Sequence, residues 1–70
     1  MPLVFAPLER RLKVIKILTD DRTKKHLESL GITIESTINV LSQSGGSVIC
    51  AVKDGRLALD RNLAMKIFVA

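Results

Sequence analysis

The chain has no tryptophan and no tyrosine, and its two phenylalanines, Phe5 and Phe68, each stand inside an apolar run that reads as core. Proteins that grip single-stranded nucleic acid stack bases on aromatic side chains, so this scarcity argues against a base-stacking surface. Cysteine is equally scarce. Cys50 is the only one, which excludes an internal disulfide and a thiolate-rich zinc site. With His26 the single histidine and no base expected beside a serine or cysteine, nucleophilic catalysis has no support, and the chain reads as no enzyme. The four glycines lack the Lys-Ser/Thr of a phosphate loop and the spacing of a dinucleotide fingerprint. Long apolar runs are missing too. The uncharged stretch 36–52 is broken by Asn39, Ser42, Gln43, Ser44, Gly45, Gly46 and Ser47, so it cannot span a bilayer. Met1 is followed by no basic n-region of a signal peptide, and the free thiol agrees with a cytoplasmic location.

What is present is a foldable composition, 47% hydrophobic and 26% charged over 70 residues. That length supports one domain, 1–70, with a folded surface expected at roughly 4,300 Å². Net charge is +4, and all of it lies in the first 26 residues, where Arg10, Arg11, Lys13, Lys16, Arg22, Lys24 and Lys25 face Glu9, Asp20 and Asp21. The remainder balances. Such a segment suits an acidic protein face, an anionic membrane surface or nucleic acid.

Leu12 to Leu18 carries apolar residues of both parities, Leu12 and Val14 on one and Ile15 and Ile17 on the other, which predicts a strand bulged near Val14 and Ile15. Asp20 or Asp21 then caps a helix near residues 21–30. Thr23, Leu27 and Leu30 share one face, Lys24 and Lys25 point outward, and Gly31 stops the helix. Two alternating strands follow, Ser36 to Ser42 and Ser47 to Lys53, joined by a Gln43-Ser44-Gly45-Gly46 loop. Asp54-Gly55 is a two-residue turn signal leading to a strand through Leu59. Asp60 caps a helical turn, and Lys66 to Val69 closes the sheet. Five short strands and one helix in this length predict a mainly β fold, a small and partly open barrel of SH3-like or OB-like shape. Cys50 shares the inward parity of Val48 and Val52, which predicts a buried thiol.

Two motifs stand in order: Arg22-x-x-Lys25-x-Leu27-x-x-Leu30-Gly31, and Asp54-Gly55-Arg56-Leu57-Ala58-Leu59-Asp60-Arg61-x-Leu63-Ala64-x-Lys66-Ile67-x-Val69. Together with Met1-Pro2-Leu3 they resemble the FeoA family of bacterial ferrous iron transport. The chain departs from the family pattern at Glu9-Arg10-Arg11, where a glycine is common, and at Thr33-Ile34-Glu35-Ser36, where Pro-Gly is usual. The resemblance implies an SH3-like five-stranded β-barrel with one short α-helix between the first two core strands. It also implies a non-enzymatic cytoplasmic accessory that docks on the cytoplasmic part of FeoB, the GTP-binding iron transporter, and meets the membrane only through that partner. For the docking surface, Arg22, Lys24 and Lys25 would steer an acidic partner while Leu27 and Leu30 line an apolar groove. No catalytic residue, no DNA partner and no tightly held cofactor are expected. For weak transition-metal binding, His26 is the first candidate. A monomer or weak homo-oligomer is expected. The competing readings are a small basic RNA-binding barrel and a regulatory domain like that of iron-dependent repressors.

Overall fold

The computed structural model describes residues 1–53 and 55–70. A short 3-10 turn at Leu3–Phe5 precedes β1 (Arg11–Ile17), α1 (Asp21–Ser29), β2 (Thr37–Ser44), β3 (Ser47–Val52), β4 (Gly55–Asp60), α2 (Arg61–Ala64) and β5 (Ile67–Val69). All pairings are antiparallel, in the order β4-β3-β2-β1-β5. This is the expected SH3-like, mainly β arrangement with α1 between β1 and β2, and the sheet is open, with β4 and β5 as its edges. The exposed surface, 4489 Å², lies near the value expected for this mass.

The bulge in β1 falls where the two parities collide. Register shifts between Val14 and Lys16 against β5, so that Val14 and Ile17 are both buried while Ile15 turns outward. One strand thereby pairs with β2 through its first half and with β5 through its second. A second bulge between Val40 and Ser42 does the same for β2 against β3.

Helix α1 begins at Asp20, whose Oδ1 accepts from the Thr23 N–H at 3.0 Å, and it ends in a Schellman arrangement. The Ile32 N–H donates to the Leu27 carbonyl at 2.9 Å and the Gly31 N–H to that of Glu28 at 3.0 Å, with Gly31 at φ 95°. Leu27 and Ile32, which this motif brings together, are both fully buried.

Two expectations are corrected, and a third falls in part outside the described residues. β2 runs on through Ser44, so the β2–β3 connection is the two residues Gly45 and Gly46, with Gly45 at φ 59°. The expected Asp54-Gly55 turn falls on Asp54, outside the described residues; Gly55 itself lies in β4 opposite Val52. Phe5 is 63% exposed and Phe68 half-buried, so neither is a full core residue. Here Leu3 and Val4 fill the space beside α2 and β5, and a 3-10 turn cannot direct three consecutive side chains to the same side.

Candidate docking surface

The four-residue turn after α1 shapes a depression on the molecule's surface. The Ser36 N–H returns to the Thr33 carbonyl at 3.0 Å, and Ser36 Oγ accepts from the Thr33 N–H at 3.0 Å and donates to the Thr33 carbonyl at 2.6 Å. Hydrogen bonds from Val14 N–H to the Ser36 carbonyl (2.9 Å) and from Glu35 N–H to the Val14 carbonyl (2.7 Å) pin the turn to β1. Glu35 stands at φ 74°, a left-handed conformation that a glycine would adopt without strain.

Between this turn, the end of α1 and the outer face of β2 and β3 lies a groove of about 860 Å³, bordered by Arg11, Gly31, Glu35, Asn39, Val52 and Lys53. Its composition follows from sheet register. Arg11, Asn39, Ala51 and Arg56 stand opposite one another across β1, β2, β3 and β4, in one row with a cation at each end. Asn39 alternates with the inward Ile38 and Val40, and its Oδ1 is buried with no hydrogen-bond partner among the described residues. A buried acceptor without a donor is costly, and because this one is covered it is not itself open to an incoming group. A groove on whose border Arg11 and Lys53 outnumber Glu35 suits an extended acidic peptide.

The residues singled out from the sequence fall on α1. Arg22, Lys25 and His26 are exposed, Lys24 and Leu30 are half-buried, and Leu27 is fully buried. Leu27 therefore cannot line a groove. It is the core anchor of the helix cap, and any apolar contact on this face falls to Leu30. The groove lies past the helix's C-terminal end and draws on Arg11, Asn39 and Lys53, which no local motif marks; only the cross-strand register assembles them.

Little else on the surface is built for chemistry. Among the described residues, no three His, Cys, Asp or Glu converge in a metal-holding group. Cys50 is fully buried, its Sγ 3.8 Å from the Leu57 carbonyl, and burial pushes the thiol up to about 11, which removes the thiolate a nucleophile needs. Asp20 is held below the ordinary carboxylate range, chiefly by its hydrogen bonds from Thr23 and secondarily by Lys66. That perturbation belongs to helix capping. No helix of the described residues is long and apolar enough to cross a membrane.

Fold and surface define a small SH3-like module that carries a charged groove. A family model for the FeoA domain matches residues 1–70. A protein of Methanocaldococcus jannaschii named Fe(2+) transport protein A is 38% identical over 68 residues, covering 97% of this chain and 83% of that one. A crystal structure titled iron uptake regulatory protein (FeoA) superposes with a TM-score of 0.87 at 31% identity, over 100% of this chain and 93% of the other. The chain belongs to the FeoA family. A manganese-dependent transcriptional repressor shares the fold, with a TM-score of 0.89 at 22% identity, and this chain matches 40% of its length.

Proposed function

We propose that this protein is a non-enzymatic, cytoplasmic accessory of ferrous iron uptake that docks on the cytoplasmic part of the FeoB transporter and supports or regulates it. The family match across the whole chain, to relatives named for Fe(2+) transport, supports the pathway. The observation that supports docking is the groove with Arg11 and Lys53 on its border. An extended acidic segment of the transporter lies in the groove against Arg11 and Lys53, while Arg22, Lys24 and Lys25 on α1 raise the encounter rate. Iron is the transporter's cargo.

Two charge-reversed variants test this, Lys24→Glu with Lys25→Glu, and Arg11→Glu with Lys53→Glu, against the soluble GTP-binding part of the transporter. The helix variant is expected to slow association by about tenfold at low salt with little change in dissociation, because solvent-exposed charges act on encounter. Its defect shrinks as added salt shortens the Debye length toward about 3 Å. The groove variant is expected to speed dissociation as well. Folded variants that associate and dissociate like wild type at low salt would refute this placement, and tight RNA binding lost in the same variants would favour an RNA-binding module.

A further inference from the structure

The two edges of the sheet are finished differently. β5 is covered by the start of the chain: the Met1 ammonium donates to the Val69 carbonyl at 2.9 Å, the Val69 N–H donates to the Met1 carbonyl at 2.8 Å, and Pro2 bridges to Phe68. β4 has no such cover among the described residues. Bare edges are templates for a further strand, and proteins blunt them with bulges, prolines or inward charges. β4 pairs with β3 in unbroken register from Ser47 opposite Asp60 to Val52 opposite Gly55, with no bulge and no proline.

The phase of this ladder decides which groups are free. The two-residue turn at Gly45 and Gly46 closes on Ser44 opposite Ser47, a hydrogen-bonded pair in such hairpins. Ser47, Ile49 and Ala51 thus bond to β2, and Val48, Cys50 and Val52 bond to β4 at Leu59, Leu57 and Gly55. The N–H and C=O groups of Arg56 and Ala58, and the N–H of Asp60, point away from the sheet. Asp60 is also the N-cap of α2, its Oδ2 accepting from the Asn62 N–H at 3.0 Å, which leaves Oδ1 free for a further partner.

We propose that β4 is a docking edge for a second copy of this chain, the two β4 strands running antiparallel about a two-fold axis at Ala58. In this register Ala58 exchanges two hydrogen bonds with its counterpart, and each Asp60 N–H meets the other copy's Arg56 carbonyl. The side chains match as well. Arg56, Ala58 and Asp60 lie on the exposed face, so each Arg56 stands opposite the second copy's Asp60, and the small Ala58 side chain sits at the axis. On the inner face the half-buried Leu57 stands in register with the second copy's Leu59, which its own core already covers. The edge is self-complementary in hydrogen bonding, charge and size. Six residues a side fall short of the roughly 1,200 Å² of a standard interface, so the dimer is weak and forms toward millimolar concentration.

Sedimentation equilibrium from about 20 μM to about 2 mM tests it, with wild-type mass expected to climb toward two chains across the range. Ala58→Pro removes an outward N–H and is expected to stay monomeric, its amide spectrum retaining native dispersion. Arg56→Asp, which sets like charges opposite Asp60, is expected to weaken association at least about tenfold at low salt. Mild oxidation of Ala58→Cys is expected to give a disulfide-linked dimer at least about tenfold faster than Ser42→Cys, an exposed control on β2, because the axis brings only residue 58 against itself. Wild-type protein that remains monomeric throughout, an Arg56→Asp variant that associates as tightly as wild type, or equal crosslinking at 58 and 42 would overturn the proposal. The outcome is independent of transporter docking.

Discussion

β5 and β4 are the two ends of one sheet, yet one is closed by its own chain and the other is left with free hydrogen-bonding groups. Composition differs, Ile-Phe-Val in β5 against Gly-Arg-Leu-Ala-Leu-Asp in β4, but it does not by itself say which edge is covered. Connectivity does. The residues before β1 are anchored by the fully buried Leu3 and by Gln43 Nε2, which donates to the Val4 carbonyl at 2.7 Å, and this lays Met1 and Pro2 along β5. The chain leaving β4 enters α2 at once, with the Arg61 N–H bonding the Gly46 carbonyl at 2.8 Å, and it turns away from the edge. The lesson is that an edge is covered or left bare by where the rest of the chain is anchored.

The largest expected effect comes from breaking the closed side. Leu3→Ala empties a fully buried site between the N-terminal turn and the core, and should cost about 2–5 kcal/mol in denaturant unfolding. In whatever fraction stays folded, amide exchange at Val69 should accelerate more than at Leu57.

A smaller loss is expected at Gly31, on the β4 side, where α1 ends against the last residue of β3. A β-carbon there would sit 3.7 Å from Val52 Cγ2, an ordinary contact, so the penalty of Gly31→Ala is the φ of 95° and should be about 1–2 kcal/mol by thermal melting. Ala58→Pro, by contrast, should move the melting free energy by less than about 1 kcal/mol, because its N–H faces solvent at a bare edge. A large destabilisation would mean that something covers β4.

Cys50 sharpens the comparison kinetically. Its thiol lies between β3 and β4, so native-state labelling should be far slower than in denaturant and should report opening of the β4 side. Because the folded thiol is raised from 9.0 to about 11, the unfolded chain ionises first as alkali is added. Stability should therefore decline between about pH 9 and 11, and Cys50→Ala should lose that decline.

The smallest effect is at Asp20, whose carboxyl is depressed by its bonds from Thr23. The stabilisation is present above the unfolded carboxylate range and is lost as pH falls through the lower folded value. Asp20→Asn keeps the cap and should abolish that acid dependence, measured as melting temperature against pH.

Much of this was determined by sequence alone. Asp20, Gly31, Asp60 and Gly45 act through their own backbone within a few residues, so their caps and turns follow from residue type. The β1 bulge was legible for the same reason, because apolar residues of both parities in one strand admit few solutions. The two motifs sufficed for the family. Tertiary structure alone decided that Leu27 is core and not groove, that Phe5 is exposed, that Arg11, Asn39, Ala51 and Arg56 form one row, and that β5 is covered while β4 is bare. The physical reason is range. Caps, turns and parity are settled by interactions between near neighbours in the chain, whereas burial, groove and edge depend on which distant strand arrives alongside, and strand register is set by the packing of the whole core.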